Sequence, residues 1–105
     1  MMTYIAQMSY SNLMEWRASH ILVKDKKLAD ELLKRAKQGA SFEALAREHS
    51  TCPSKSRGGD LGWFGPGKMV SSFENACKRL SPGSTSDVVS SSFGYHIIRL
   101  TGRKE

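Results

Sequence analysis

Two cysteines and three prolines are all that this 105-residue chain has of either. Nowhere does it approach the roughly 18 consecutive apolar residues that a membrane-crossing helix needs. Two thiols are too few for the disulfide framework of a small secreted scaffold, and Cys52 and Cys77 lie in different local settings. They read as free thiols in a reducing interior. Glycine and proline together make 12 of 105 residues, far from a collagen-like or low-complexity chain. The opening stretch MMTYIAQMSYSNLMEWR lacks the basic start, the apolar core and the small-residue cleavage site of a secretory signal. These absences set the expectation of a cytoplasmic protein with no membrane partner. Also missing is a basic run long enough to serve as a nucleic-acid arm. The 16 Lys and Arg against 10 Asp and Glu give +6, but the excess is scattered, with +3 on residues 24–37 and +2 on residues 93–105. With no aromatic–basic platform beside it, that charge speaks for an acidic partner rather than for nucleic acid.

What is present suits one domain. Hydrophobic residues make 39% of the chain and charged residues 25%, ordinary values for a globular fold of this length. Residues 1–15 stand apart: four of the five methionines fall here with no clean period, and the segment reads as a linker or loosely packed tail. Residues 16–105 form the domain. Ser19–Val23 is short, β-branched and bounded by charge, which predicts a buried strand. Asp25 can cap a helix whose Leu28, Ala29, Leu32, Leu33 and Ala36 recur at helical spacing until Gly39. Ser41 caps a second helix with Phe42, Leu45, Ala46 and His49 on one face, ended at Cys52-Pro53. Residues 57–67 hold five glycines and a proline around Leu61, Trp63 and Phe64, which predicts a short strand between tight turns. Ser71 and Glu74 have the spacing of a capping box before a third helical face of Phe73, Ala76, Cys77 and Leu80, stopped by Ser81-Pro82-Gly83. Two strands, Asp87–Ser91 and Tyr95–Thr101, close the chain. The order β-α-α-β-α-β-β has no βαβ alternation, so an α+β fold with a mainly antiparallel sheet follows.

The histidines sit on apolar strand faces. Strand side chains alternate, so His20 shares a face with Leu22, and His96 shares one with Ile98 and Leu100. One buried imidazole is commonly a satisfied core residue, but one on the first strand and one on the last make a hydrogen-bonded pair if those strands are neighbours.

Four segments now carry a resemblance. They are Ala18-Ser19-His20-Ile21-Leu22-Val23, Arg57-Gly58-Gly59-Asp60-Leu61-Gly62 with Phe64, Gly67-Lys68-Met69-Val70 leading to Phe73, and Phe93-Gly94-Tyr95-His96-Ile97-Ile98. In order and spacing they resemble the parvulin family of peptidyl-prolyl cis/trans isomerases, over about residues 17–101. The resemblance implies a four-stranded antiparallel sheet surrounded by helices, with the first and last strands adjacent at its centre. It implies a catalytic set of His20, Cys52, Ser91 and His96, in which Cys52 takes a position held by cysteine in some parvulins and aspartate in others. Leu61, Met69 and Phe73 match the apolar pocket for the proline ring. Phe93, before His96, and Trp63, in the glycine-rich turn, join the substrate-binding set. The implied partners are proline-containing peptides and unfolded polypeptide, handled by a monomer.

The chemistry needs neither metal nor cofactor. Rotation about X-Pro makes and breaks no bond, yet interrupts amide resonance behind a barrier of ~18–20 kcal/mol. A site that favours the twisted amide over the planar one is sufficient. Cys52, three residues after His49, could instead be a protease nucleophile, but no oxyanion arrangement or orienting group accompanies it. A zinc site from His20, Cys52, Cys77 and His96 lacks any closely spaced ligand pair. The link after the first strand, Lys24-Asp25-Lys26-Lys27, carries no arginine fork for phosphate, so broad tolerance before proline is expected. The alternative reading is a proline-peptide binding or chaperone module with little turnover.

Overall fold

The computed structural model describes residues 14–104; the expected tail, except for Met14 and Glu15, lies outside them. Strand β1 (Glu15–Val23) is followed by helices α1 (Lys26–Lys37) and α2 (Phe42–His49), a 3₁₀ turn (Pro53–Arg57), strand β2 (Asp60–Phe64), helix α3 (Ser71–Arg79), and strands β3 (Val89–Ser91) and β4 (Gly94–Lys104). All pairings are antiparallel, in the order β2-β1-β4-β3. The first and last strands of the described residues are therefore the two central ones.

Alternation along β1 and β4 sorts the core into two layers. Ile21, Val23 and Ile97 face α1 and α2, where Ala29, Leu32, Ala36, Phe42, Leu45 and Ala46 bury against them. Ala18, Ile98 and Leu100 face α3 with Trp16, Phe64, Phe73, Ala76 and Cys77. The register of β1 on β4 slips by one residue between Arg17 and Ala18. Arg103 is thereby turned toward α3, where its Nη2 donates to the carbonyl oxygens of Leu80 (2.5 Å), Lys78 (3.3 Å) and Cys77 (3.4 Å). The Lys78 and Leu80 oxygens lie at the end of α3, where carbonyls lack intrahelical partners, while Cys77 O also accepts from Leu80 N–H at 3.3 Å.

The helix caps follow the sequence at two ends and depart from it at a third. Asp25 accepts from Lys27 N–H and Ser41 from Ala44 N–H, as N-cap side chains should. Ser71, by contrast, lies inside α3: the N-cap is Val70, which gives no side-chain bond. Glu74 reaches back past it to accept from Gly67 N–H at 2.8 Å. The capping-box spacing was real, but the carboxylate ties down the preceding loop instead. The 3₁₀ turn was not foreseen either, although Pro53 at its start fits a helix-initiating role. β3 is shorter than expected because Ser86 bonds β4 from outside the ladder, donating N–H to Ile98 O and accepting Ile98 N–H on its hydroxyl.

Two glycines, Gly59 and Gly94, combine a positive φ with a Cβ position blocked by a backbone oxygen of β1, and Gly59 bears on the site. Gly59 adopts φ +89°, and a Cβ there would run into the backbone oxygen of His20. That closeness lets Gly59 O accept from His20 N–H at 2.9 Å, which fixes β1 at the histidine.

Candidate active site

His20 and His96 come from adjacent central strands, with His20 opposite Ile98 and His96 opposite Leu22. Both rings point to the α3 side of the sheet, and their Nδ1 atoms are 3.0 Å apart. Such a contact requires one nitrogen to donate and the other to accept. His96 Nε2 lies 2.7 Å from Ser91 Oγ, and that hydroxyl oxygen accepts from Phe93 N–H at 3.1 Å. A polar line thus runs from the β3–β4 hairpin through His96 to His20. Phe73 closes it from above, edge-on to both imidazoles at 5.5 and 5.6 Å.

The pair is held neutral. Burial, reinforced by the neighbouring His96, lowers the His20 pKa to about 4, and burial lowers that of His96 too. At neutral pH the site therefore offers imidazole hydrogen bonding without imidazolium charge.

Above the pair opens a groove of about 470 Å³, bounded by Leu22, Thr51, Cys52, Pro53, Leu61, Lys68, Met69, Val70, Phe73 and Phe93 together with the two histidines. Its Cys52 side is built by strand-like addition to β1 beyond the end of β2. Thr51 N–H donates to Leu22 O at 2.8 Å, and the buried Ser50 hydroxyl accepts from the N–H groups of Leu22 and Cys52. Cys52 Sγ in turn accepts from the Ser54 hydroxyl at 3.2 Å. Leu61, Met69 and Phe73 form the opposing apolar wall, with the exposed Phe93 ring at the rim.

Of the residues singled out in the sequence, His20, Cys52, Leu61, Met69, Phe73, Phe93 and His96 converge on this groove, and Ser91 sits behind His96. Trp63 does not. Phe64 faces α3, so the adjacent Trp63 faces the other way, and the register shift at Leu61-Gly62 opposite Ala18 separates it from Leu61, two residues earlier. Its ring lies against Gly102 and beneath the Lys104 ammonium, 4.5 Å from the ring centre. It covers the outer end of the sheet. Thr51, Pro53, Lys68 and Val70 were not foreseen as lining, because no local period distinguishes a loop residue that faces a groove from one that faces water.

The fold and this pair can be set beside known proteins. A profile of the PPIC-type peptidyl-prolyl isomerase (rotamase) domain matches residues 20–102. The chain belongs to this family, the parvulins. Among the relatives of this parvulin domain are the foldase protein PrsA of Geobacillus sp. strain WCH70, 52% identical over 90 residues, and that of Bacillus subtilis strain 168, 54% identical over 86. The matches take in 85% and 81% of this chain but 33% and 30% of those proteins. The chain thus spans about a third of the length of the curated relatives it matches. The crystal structure of Bacillus anthracis PrsA superposes with a TM-score of 0.87 at 46% identity, covering 95% of this chain and 46% of that one. The parvulin NmPin of Nitrosopumilus maritimus gives 0.75 at 39% identity, covering 84% and 96%.

Proposed function

We propose that this domain catalyses rotation about X-Pro bonds in unfolded or flexible client polypeptide and so assists folding, without requiring phosphate before proline. The observation that carries the reading is the neutral histidine pair lying beneath an apolar groove. Leu61, Met69 and Phe73 receive the proline ring. In the planar amide the nitrogen lone pair is shared with the carbonyl; on twisting, that polarity is lost and the nitrogen becomes pyramidal. An apolar, water-poor wall penalises the polar planar form more than the twisted one, which is differential binding in the sense that lowers a barrier. The histidines hold the groove floor in one arrangement through Ser91, and Cys52 tunes the field at its edge rather than attacking the amide. Uncatalysed isomerisation takes about 10–100 s, so even modest stabilisation is measurable.

Independence from phosphate follows from the connection between β1 and α1, which is only Lys24 and Asp25. Lys26 already belongs to α1 and pairs with Asp30 at 3.1 Å. No loop remains there to carry a bidentate clamp. A cytoplasmic location and a monomeric state belong to the same reading, the location supported by the free thiols of Cys52 and Cys77; cell fractionation and sedimentation test them. The activity is tested by a protease-free assay that follows cis-to-trans conversion of Leu-Pro, Glu-Pro and phosphoserine-Pro peptides. Turnover of all three without a strong phosphoserine preference is expected. Peptide binding without turnover would instead make the domain a holding module.

A further inference from the structure

The groove has one formal charge in its lining. With both histidines neutral, Lys68 supplies the single ionised side chain, and no carboxylate accompanies it. Among the described residues Lys68 takes part in no ion pair. Glu74, the carboxylate that grips the same loop, is already engaged by Gly67 N–H at 2.8 Å and by Lys78 Nζ at 3.3 Å. The backbone around Lys68 is tied at both ends: Lys68 N–H donates to Gly65 O, and Val70 O accepts from the N–H groups of Phe73 and Glu74. The ammonium is thus carried on an anchored loop, next in sequence to Met69 of the apolar wall.

Resting on the isomerase reading above, we propose that Lys68 is a specificity-determining residue, biasing the groove toward segments with an acidic side chain flanking the proline. An exposed lysine has a compact, mobile charge that attracts a carboxylate without imposing geometry, unlike an arginine fork. The bias is accordingly graded rather than absolute. Exposed ion pairs correspond to about two- to fivefold in an equilibrium constant, and salt screens them. Because the attraction is the same for planar and twisted amide, it acts on KM and leaves kcat in place.

The test compares peptides that differ only in Glu, Gln or Lys next to proline, on either side of it. They are measured with the unaltered chain, Lys68→Gln and Lys68→Glu, at low and high salt. The unaltered chain is expected to favour a Glu peptide over its Gln counterpart about two- to fivefold in kcat/KM through KM, with the preference shrinking in salt. Lys68→Gln is expected to bring the ratio near one, and Lys68→Glu to turn it toward the Lys peptide. A ratio near one in the unaltered chain, or a preference that survives Lys68→Gln, overturns the proposal. The same peptides are titrated for binding by fluorescence. If nothing is turned over, the isomerase reading fails, while the ratio of dissociation constants still decides the role of Lys68.

Discussion

The two faces of one sheet are treated differently in this domain. On one face Ile21, Val23 and Ile97 are sealed by α1 and α2, helices of twelve and eight residues, and every member of that cluster is at most 7% exposed. On the other, the nine-residue α3 covers Ala18, Ile98 and Leu100 but reaches His20 and His96 only through Phe73 in its first turn, and leaves Leu22 partly open. Both faces are made by the same two central strands through alternation alone. The site arises where the second face runs out of helix, so that residues with core-like positions become the floor of a groove. Stability and chemistry are thereby divided between the faces, and substitutions can separate them.

The largest effect is expected on the sealed face. Phe42 is 1% exposed, and Phe42→Ala should cost about 3–5 kcal/mol in urea unfolding. kcat/KM per folded molecule should change little, and a large loss there would break the division. Acid attacks the open face next. Because burial lowers the folded-state pKa of His20 to about 4, unfolding takes up a proton between its ordinary value near 6.5 and 4. Stability from keeping this ring neutral is complete above pH 6.5 and falls as pH drops toward 4. The loss approaches about 3 kcal/mol. Unfolding curves at pH 7 and pH 4.5 measure it, and His20→Gln should flatten the dependence in that window.

Met69→Ala reverses the pattern expected for Phe42. Met69 is only partly buried, so its loss should cost about 1 kcal/mol of stability. Lost apolar contact with proline should lower kcat/KM by about tenfold. Ser91→Ala removes one hydrogen bond to His96, worth about 1 kcal/mol, and should show as a changed His96 ring shift together with reduced turnover. Trp63→Ala is expected to do least to catalysis, since its ring is away from the groove; turnover reduced as far as in Met69→Ala would return it to the binding set.

Much of this arrangement was legible before any coordinates. Alternation placed His20 and His96 on apolar faces, and the family resemblance made their strands neighbours. Helical spacing found the buried Ala29, Leu32 and Ala36 because a helix buries one stripe of itself. What stayed hidden depends on distant partners. Residues Glu15–Arg17 join β1 because Gly102–Lys104 lie opposite, and no local signal announces that pairing. Glu74 and Ser71 had capping-box spacing, yet the loop offered Gly67 N–H as a better-placed donor. Trp63 looked like a groove aromatic because strict alternation would put it on the face of Leu61; the register shift at Leu61-Gly62, which depends on the pairing with β1, turns it to the other side. Lys68 was visible as a residue of the Gly67–Val70 motif, but its isolation in an uncharged lining is a property of the assembled groove.

The central claim is that proline is received on the open face, above the histidine pair. Amide shift mapping during titration with a short proline peptide tests it directly. Shifts concentrated at His20, Cys52, Leu61, Met69, Phe73, Phe93 and His96, with α1 silent, are the predicted result. Shifts confined to the lysine-rich α1, with the groove unmoved, would contradict it.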